Sequence, residues 1–329
     1  MTEILSPAPL KIAADAFAGS LVQSRQGWFD LVQPCLAKEA KGERRLIRLG
    51  QHVWPIWIKD DGQATGVANC YTDIFLPIEL PQPEAQLPSG NFSVLQLEAC
   101  PGDQAFEDLV SDLSNSGYLT EKYHHFGNWA LKNNQNFTPY WDQRSSRLRN
   151  TVKRAQAKLM NQNAHFVHFT KAQDIAAAQL AYAMVAQAGW QPAEPYPEFI
   201  PALINWCLGN QCGHVVAIKL GDRVIAAQIW LTGGGRATLF KLTYDPTFSA
   251  LSPGSVLTHA ALQSLFETPC EVEIDFGRGD DAYKKEWMDH RQQRWGVLAC
   301  DLKTSKGMKA AALQVLPSRL KRLVVSNVV

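Results

Sequence analysis

The segment 275–287 collects acidic, basic and phenolic side chains in one short stretch, Asp-Phe-Gly-Arg-Gly-Asp-Asp-Ala-Tyr-Lys-Lys-Glu-Trp. Asp275, at the end of a predicted strand, could accept a proton or orient an amine, and Tyr283 could donate a proton to a leaving thiolate. Arg278 or Lys284 could neutralise a phosphate. The segment therefore offers a compact set of catalytic side chains.

The same segment also has a purely structural interpretation. Asp280 or Asp281 would cap a short helix predicted over 282–289, and Tyr283 would pack on Trp287 one helical turn later. The Asp-Phe-Gly triplet occurs in protein kinases, but the chain lacks the Gly-rich nucleotide loop and the His-Arg-Asp loop of a kinase. The kinase interpretation is therefore poor, whereas the catalytic and structural ones stay open.

Ser-Pro-Gly-Ser at 252–255 lies between a predicted strand and a predicted helix. A helix N-terminus presents unpaired N–H groups and a partial positive charge, so a phosphate can bind there without a cationic side chain. Gly254 would let a ligand approach the backbone, and Ser252 or Ser255 could cap the helix. An ordinary helix start with no ligand explains the same residues.

Residues 144–160 predict a basic amphipathic helix. Its apolar stripe is Leu148, Val152, Ala155 and Leu159, and its cations are Arg144, Arg147, Arg149, Lys153, Arg154 and Lys158. The stripe recurs at helical spacing. The basic face could bind a phosphate-bearing substrate, or it could be an ordinary solvated face.

Length and composition restrict the function classes. A chain of 329 residues is long enough for two domains, and 46% hydrophobic with 19% charged residues excludes wholesale disorder. Lys plus Arg (32) nearly balances Asp plus Glu (31), so global charge does not favour nucleic-acid binding. No zinc-type Cys or His spacing occurs, and we predict no metal. Neither a secretory signal nor a membrane-spanning stretch is found, so we expect a cytoplasmic protein.

The predicted elements indicate an α/β protein with mixed strand directions. In the first half they are a helix over 12–40, strands at 46–49, 52–59 and 92–97, a helix from Asp103 to Gly117, and one or two further strands at 118–131. In the second half, after the helix at 144–160, come helices to 188 and 208, strands at 214–220, 223–231 and 236–244, a helix to 266, and strands at 271–276 and 295–302. The three middle strands of that second half predict a meander joined by tight glycine turns.

The order of these motifs resembles a known family. The motifs are Gln187-Ala188-Gly189-Trp190, Val224-Ile225-Ala226-Ala227, Lys241-Leu242-Thr243-Tyr244-Asp245-Pro246, Leu251-Ser252-Pro253-Gly254, and Asp275 to Lys284. Over about 160–300 they resemble the GNAT-superfamily acyltransferases of the CelD-like type, relatives of the Fem aminoacyl transferases. The resemblance implies two tandem GNAT-like domains on an α+β mixed sheet, in a Fem-like arrangement. The implied divisions are an N-terminal GNAT-like domain at 1–143, the basic connecting helix at 144–160, the C-terminal acyltransferase domain at 161–302, and a basic tail at 303–329.

The resemblance also implies an activity, the transfer of an acyl group from acyl-CoA to an amine or hydroxyl. The acceptor would be a small molecule, a sugar or a cell-envelope precursor. The pyrophosphate of CoA would bind at 252–255, with Arg278 and Lys284 as further phosphate contacts. Backbone N–H groups of a splayed or bulged strand within 240–244 would stabilise the oxyanion. Trp190, Lys241 and Tyr244 are the expected substrate contacts.

Two other functions stay open at this point. The basic helix at 144–160 would suit an aminoacyl-tRNA donor, as in the Fem relatives, although tRNA is the less favoured partner. The superfamily's usual phosphate loop is reduced here to Gly254-Ser255, which would suit a catalytically silent binding module in polysaccharide assembly. The basic tail at 303–329 could also contact an anionic membrane surface peripherally.

Overall fold

The structure is a computed structural model that describes residues 14–80, 92–189, 191–268, 270–317 and 319. The described residues fall into two compact units. Of the described residues, the first unit comprises those within 14–22 and 128–292, and the second comprises those within 23–127 and 293–319. The units therefore interleave along the chain. The domain boundaries predicted at residues 143, 160 and 302 remain a prediction.

Helices and strands alternate through the described residues. The α-helices are α1 Gln26–Glu39, α2 Gln104–Asn115, α3 Phe137–Asp142, α4 Ser146–Asn161, α5 Ile175–Ala188, α6 Phe199–Gly209, α7 Pro253–Phe266 and α8 Ser305–Ala310. The strands are β1 Gly42–Leu49, β2 His52–Lys59, β3 Gln63–Gly66, β4 Val94–Pro101, β5 Tyr118–Lys132, β6 His165–Phe169, β7 Gly213–Leu220, β8 Arg223–Gly233, β9 Arg236–Tyr244, β10 Glu273–Asp275 and β11 His290–Asp301. Short 3₁₀ turns include Pro246–Leu251 before α7 and Lys284–Glu286 before β11.

The first unit is built around an antiparallel meander. β6, β7, β8 and β9 pair in chain order, and β10 then pairs parallel to β9. The turn glycines Gly221 and Gly234 have φ of +59° and +60°, a conformation that glycine adopts without strain. α5 and α7 contact opposite faces of this sheet, because Gly189 after α5 approaches Thr243 whereas Gly254 in α7 approaches Tyr244.

The second unit repeats part of this topology. β1, β2 and β3 form an antiparallel meander, β4 pairs parallel to β3, and β11 pairs antiparallel to β4. In both units the parallel pair is joined over three residues only, Gln63–Thr65 with Val94–Gln96 and Arg236–Thr238 with Glu273–Asp275. This recurrence is what two GNAT-like domains in tandem would produce.

The predicted α/β class with a mixed sheet is confirmed, and so is the basic helix. The stripe of α4 is buried, and Asp103 caps α2 by accepting a hydrogen bond from the Phe106 N–H at 3.1 Å. The helix predicted over 12–40 shortens to α1, because the 3₁₀ turn Val22–Ser24 and the extended Arg25 (φ −78°, ψ 145°) precede it. Among the described residues, no helix is both long and apolar enough to cross a membrane.

The short helix predicted over 282–289 is wrong. Only the 3₁₀ turn Lys284–Glu286 forms there, and β11 begins at His290 rather than at 295. The Asp289 N–H already donates to the Ala130 carbonyl at 3.2 Å. Hydrogen bonding of residue 289 to β5 therefore starts the extended conformation of β11, and no second helical turn forms after Glu286.

Candidate functional site

Strand β9 carries a bulge at its centre, as predicted within 240–244. Ile229 pairs with Lys241 and Trp230 with Leu239, which leaves Phe240 as the extra residue. A bulge bends its strand and leaves one residue outside the ladder. The pairing of β9 with β10 ends at Thr238, so the two parallel strands separate where the bulge begins. Residues 239–244 therefore have an edge that β10 does not cover.

Helix α7 begins directly beyond this edge. Ser252, which precedes it, is left-handed, with φ of 43°, and its side chain makes no capping hydrogen bond. Ser255 is half-buried in the first turn. A Cβ added at Gly254 would lie 3.5 Å from Tyr244 Cδ1, an ordinary contact. Packing within the protein therefore does not require glycine at position 254.

A chain of buried hydrogen bonds fixes the first turn of α7 to β8. The Trp230 indole donates to Gln228 Oε1 at 2.9 Å, and the Gln228 amide donates to Thr258 Oγ1 at 2.8 Å. Thr258 Oγ1 in turn donates to the Gly254 carbonyl at 2.9 Å. All these side chains are buried, so the chain holds the helix start in one position.

Asp275 is fully buried at the end of β10. One carboxylate oxygen accepts from the Asn128 side-chain amide at 2.7 Å, and the other accepts from the Gly277 N–H at 2.7 Å. The Arg236 guanidinium lies 3.8 Å away. This geometry fixes the start of the loop after β10. The role of general base that the sequence suggests for Asp275 stays a prediction, and its burial favours a positioning role.

Lys284 closes the same loop from the other side. Its side chain is buried, and its ammonium donates to the carbonyls of Arg278 at 2.8 Å and Gly279 at 3.2 Å. It also lies 3.4 Å from an Asp281 carboxylate oxygen. These partners use the ammonium for holding the loop, so they oppose the predicted phosphate contact. Arg278, in contrast, has an exposed side chain.

Tyr283 is the exposed phenol of this region. It is 45% exposed, and burial of part of the ring together with the Asp281 carboxylate raises the pKa of Tyr283 to about 12. The phenol therefore carries its proton at neutral pH. Asp280 beside it accepts from the Trp129 indole and the Arg291 guanidinium, each at 2.6 Å, and Arg291 and then Trp129 lower the pKa of that carboxyl.

The loop after α5 lies along the uncovered part of β9. The Gln191 side chain donates to the Leu242 carbonyl at 3.0 Å, and Lys241 donates to Glu194 at 2.9 Å. Thr243 Oγ1 is buried without a hydrogen-bond partner, and so is the Tyr182 hydroxyl on α5. Two polar side chains of the loop thus contact the strand that carries the bulge.

A cavity of about 440 Å³ lies between α4 and α7. Its lining includes Trp141, Asp142, Ser146, Arg149, Asn150, Lys153, Gln156 and His259. The distance from Arg149 Nη1 to Asp142 Oδ1 is 3.4 Å, which is long for an ion pair, and Arg149 Nε is buried without a hydrogen-bond partner. The His259 ring lies edge-on to Trp141, and burial lowers the pKa of His259 to about 4. The cavity combines two cations with an aromatic wall.

The structure brings part of the predicted site together. Gly254 and Tyr244 are neighbours on the α7 side of β9, whereas Lys241 turns to the opposite side toward Glu194. Trp190 lies outside the described residues. Residues 14–80, 92–189, 191–268, 270–317 and 319 contain no group of three or more His, Cys, Asp or Glu side chains that could hold a metal ion.

Sequence reasoning missed Asn128, Gln191 and Glu194. Asn128 binds a carboxylate 147 positions away in the sequence, so nothing local indicates its role. Gln191 and Glu194 stand in a loop rich in proline, where the sequence shows no regular pattern. The only available signal was the loop's place directly after the Gln-Ala-Gly-Trp motif.

Residues 146–285 match the family profile described as an acetyltransferase (GNAT) domain. The match begins in α4 and extends through the bulged strand, α7 and the loop after β10. No curated protein sequence is similar to this chain at a significant level.

Solved structures are similar to the chain over most of its length. The structure of FemX gives a TM-score of 0.56 at 9% identity, covering 90% of this chain and 96% of that one. A conserved protein of unknown function from Bacteroides thetaiotaomicron gives 0.51 at 7% identity, covering 87% and 95%. The C-terminal domain of a provisionally assigned lysylphosphatidylglycerol synthetase from Agrobacterium fabrum gives 0.50 at 10% identity, covering 86% and 94%. At such identities the likeness is one of fold.

Proposed function

With a GNAT acetyltransferase domain at residues 146–285, we propose that this protein transfers an acyl group from acyl-CoA to an amine, or to a hydroxyl, of a small molecule, sugar or cell-envelope precursor. The observation that most supports this proposal is the bulge at Phe240, at the point where β9 and β10 separate. That arrangement leaves backbone groups of β9 beyond Thr238 unpaired with β10 and places the start of α7 next to them. The CelD-like assignment and a cytoplasmic location belong to the same proposal.

The reaction balances with groups that this region supplies. A neutral amine attacks the thioester carbonyl, and backbone N–H groups near Phe240 donate to the oxyanion. The C–N bond forms, the C–S bond breaks, and Tyr283 protonates the leaving thiolate. The proton lost by the amine goes to an ordered water or to Glu194, whose carboxylate lies beside Lys241, one residue after the bulge.

The first turn of α7 is the proposed site for the donor's pyrophosphate. Gly254 supports this proposal because packing does not require a glycine there, whereas close approach of a ligand to the backbone would. Ser252, Ser255 and Arg278 are the accompanying contacts. Lys284 acts instead by holding the loop, and Asp275 acts by positioning it.

Calorimetric titration with CoA and acetyl-CoA, followed by turnover assays with amine acceptors, tests the proposal. We expect saturable binding of both and a CoA product with at least one amine. Glu194→Gln should lower kcat and shift its pH profile, whereas Asp275→Asn should lower kcat without moving the profile. Absence of a response to every CoA thioester would contradict the acyl-CoA donor.

An aminoacyl-tRNA donor is the second candidate function, and the cavity beside α4 is the observation that favours it. Arg149 and Lys153 line this cavity, so both should contribute to binding tRNA phosphates. Binding that weakens steeply with salt, and weakens further in Arg149→Gln with Lys153→Gln, would support it. Arg147→Gln with Lys158→Gln is the matched control, since neither residue lines the cavity. Salt-insensitive or absent tRNA binding would remove this candidate.

A catalytically silent binding module is the remaining alternative. It predicts donor binding without turnover. Turnover that falls in Tyr283→Phe would exclude it, because only an active site responds to removal of a single hydroxyl in this way.

The segment after β11 suggests peripheral contact with a membrane. Leu302, Met308, Leu313 and Leu316 are exposed there, and Lys303, Lys306 and Lys309 lie among them. Apolar side chains beside lysines suit an anionic lipid surface. Flotation with vesicles containing phosphatidylglycerol should carry the protein, and Leu313→Asp with Leu316→Asp should prevent it. Equal flotation with neutral vesicles would contradict a role for the lysines.

A further inference from the structure

The second unit contains a cavity that the proposed transfer reaction does not use. Its volume is about 160 Å³, which suits one small headgroup rather than a drug-sized molecule. The polar and aromatic residues lining it are Glu39, Trp57, Lys59, Thr65, Gln96 and Glu98. The cavity is open on one side, and the Glu98 side chain is 41% exposed, so a ligand can reach it.

The position of the cavity follows from the topology of the second unit. The pairing of β3 with β4 starts at Gln63 and Val94 and ends at Thr65 and Gln96. Thr65, Gln96 and Glu98 line the cavity where these parallel strands part. Parallel strands that separate create a crevice at their carboxyl ends, and ligands of α/β sheets commonly bind in such crevices.

Glu98 is held in place by its own strand. Between the pairs Trp295–Cys100 and Val297–Leu97, Glu98 and Ala99 stand opposite the single residue Gly296, so β4 is bulged there. Ala99 has φ of 61°, the left-handed conformation that a residue with a Cβ adopts at a cost of about 1–3 kcal/mol. The bulge therefore changes the direction of the Glu98 side chain, and the backbone at Ala99 is strained as a result.

Neighbouring side chains fix the carboxylate further without supplying a positive charge. The Tyr123 hydroxyl donates to Glu98 Oε1 at 3.0 Å, and the Gln96 amide donates to the same oxygen at 2.9 Å. His125 Nδ1 accepts from the Ala99 N–H at 2.9 Å, so its proton lies on Nε2 and the ring is neutral. That Nε2 is 3.5 Å from Glu98 Oε2.

The remaining lining defines the ligand's chemistry. Glu39 and the C-terminal end of α1 add negative potential, and Lys59 is the one cation among the lining residues. Trp57 is 4% exposed and supplies an aromatic wall to the cavity. Thr65 and Gln96 offer further hydrogen bonds to hydroxyl groups.

We propose that this cavity binds a small hydroxylated primary amine, with its ammonium group on Glu98, its hydroxyl groups on Thr65 and Gln96, and its carbon skeleton against Trp57. The site goes beyond the proposed acyl transfer and does not rest on it. It lies in the second unit, whereas the bulged strand β9 belongs to the first.

Calorimetric titration of the full chain with glucosamine tests this site without any acyl donor. We expect saturable one-to-one binding of glucosamine. N-acetylglucosamine and glucose should bind at least about tenfold more weakly, because both lack the ammonium group. Glu98→Gln keeps the shape of the side chain and should weaken glucosamine binding by about tenfold or more. Glu43→Gln, which changes an exposed carboxylate of β1, is the matched control and should bind as the unaltered protein does.

A second variant separates loss of the site from disturbance of the Glu98 network. Ala68→Met places a larger side chain in the cavity and leaves Glu98, Gln96 and Tyr123 themselves unaltered, and it should also abolish binding. Unchanged thermal unfolding of both variants shows that the unit remains folded. The proposal is overturned if glucosamine does not bind, if N-acetylglucosamine binds equally well, or if either Glu98→Gln or Ala68→Met binds glucosamine normally.

Discussion

Gly254 and Gly277 are glycines for different physical reasons. Gly277 has φ of +65°, and a Cβ there would lie 2.7 Å from the Leu239 carbonyl oxygen, whereas a Cβ at Gly254 meets only ordinary contacts. Gly277→Ala should therefore lower the free energy of unfolding by about 1–3 kcal/mol. Gly254→Ala should leave that free energy unchanged or raise it by up to about 1 kcal/mol, because alanine favours helix. Urea denaturation measures both effects.

The same two variants separate packing from ligand binding. If the first turn of α7 receives the donor's pyrophosphate, Gly254→Ala weakens acetyl-CoA binding in calorimetry although its stability is intact. Normal acetyl-CoA binding by Gly254→Ala would contradict that location.

Tyr283 permits a prediction about the chemical step. Removing a general acid typically slows a reaction by about 10²–10⁴-fold, so Tyr283→Phe should lower kcat by that order while leaving donor binding unchanged. Steady-state kinetics together with calorimetry checks both parts. A Tyr283→Phe protein with unchanged kcat would remove the phenol from the mechanism.

Residue types alone could suggest this site but could not assign its roles. The sequence places Asp275, Lys284 and Tyr283 in one short segment, and all three do lie around the loop after β10. Their individual roles depend on distant partners: Asn128 reaches Asp275 from β5, and the loop carbonyls fold back onto the Lys284 ammonium. Such contacts arise from tertiary packing and leave no local trace.

At the scale of elements, the hydrogen-bonded chain from Trp230 to Gly254 permits a stability prediction. Thr258→Val removes the acceptor of the buried Gln228 amide and should lower the free energy of unfolding by about 1–3 kcal/mol. Thr258→Ser keeps the hydroxyl and should lose about 1 kcal/mol or less, the contribution of one methyl group. Denaturant unfolding distinguishes them. Equal losses in the two variants would mean that the hydroxyl contributes nothing.

Periodic elements could be predicted from the sequence, and irregular ones could not. The stripe of Leu148, Val152, Ala155 and Leu159 predicts α4, and all four side chains are buried there. The resemblance predicts a bulge within 240–244, but its position at Phe240 depends on the register between β8 and β9. The failed helix at 282–289 has the same cause, since pairing with β5 decides where β11 starts.

At the scale of the whole molecule, the two units share one structural device. Each contains a meander followed by a parallel strand that is joined over three residues and then separates. In the first unit the region of separation adjoins a bulge in β9, and in the second it adjoins a bulge in β4. The same backbone scheme thus presents different side chains, Glu194 and Lys241 in one unit and Glu98 in the other.

Buried histidines connect the stability of the whole chain to pH. Burial lowers the pKa of His168 and of His259 to about 4 and that of His214 well below 6.5, although Asp174 partly opposes the shift at His168. Between about pH 6.5 and 4 the unfolded chain therefore binds protons at these rings that the folded chain does not. The free energy of unfolding should be flat above pH 6.5 with respect to these groups and should fall as the pH drops below it, by about 3 kcal/mol at pH 4 for each of His168 and His259.

Unfolding by urea between pH 4 and 7 measures this slope, and single variants assign it. His168→Gln removes one titrating ring and should reduce the acid-induced loss, whereas His165→Gln, at an exposed position of the same strand, should leave the slope unchanged. A parallel reduction in both variants would show that the slope comes from histidines in general rather than from burial. A slope unaffected by His168→Gln would mean that its ring already accepts a proton in the folded state, which its buried Nε2 without a partner argues against.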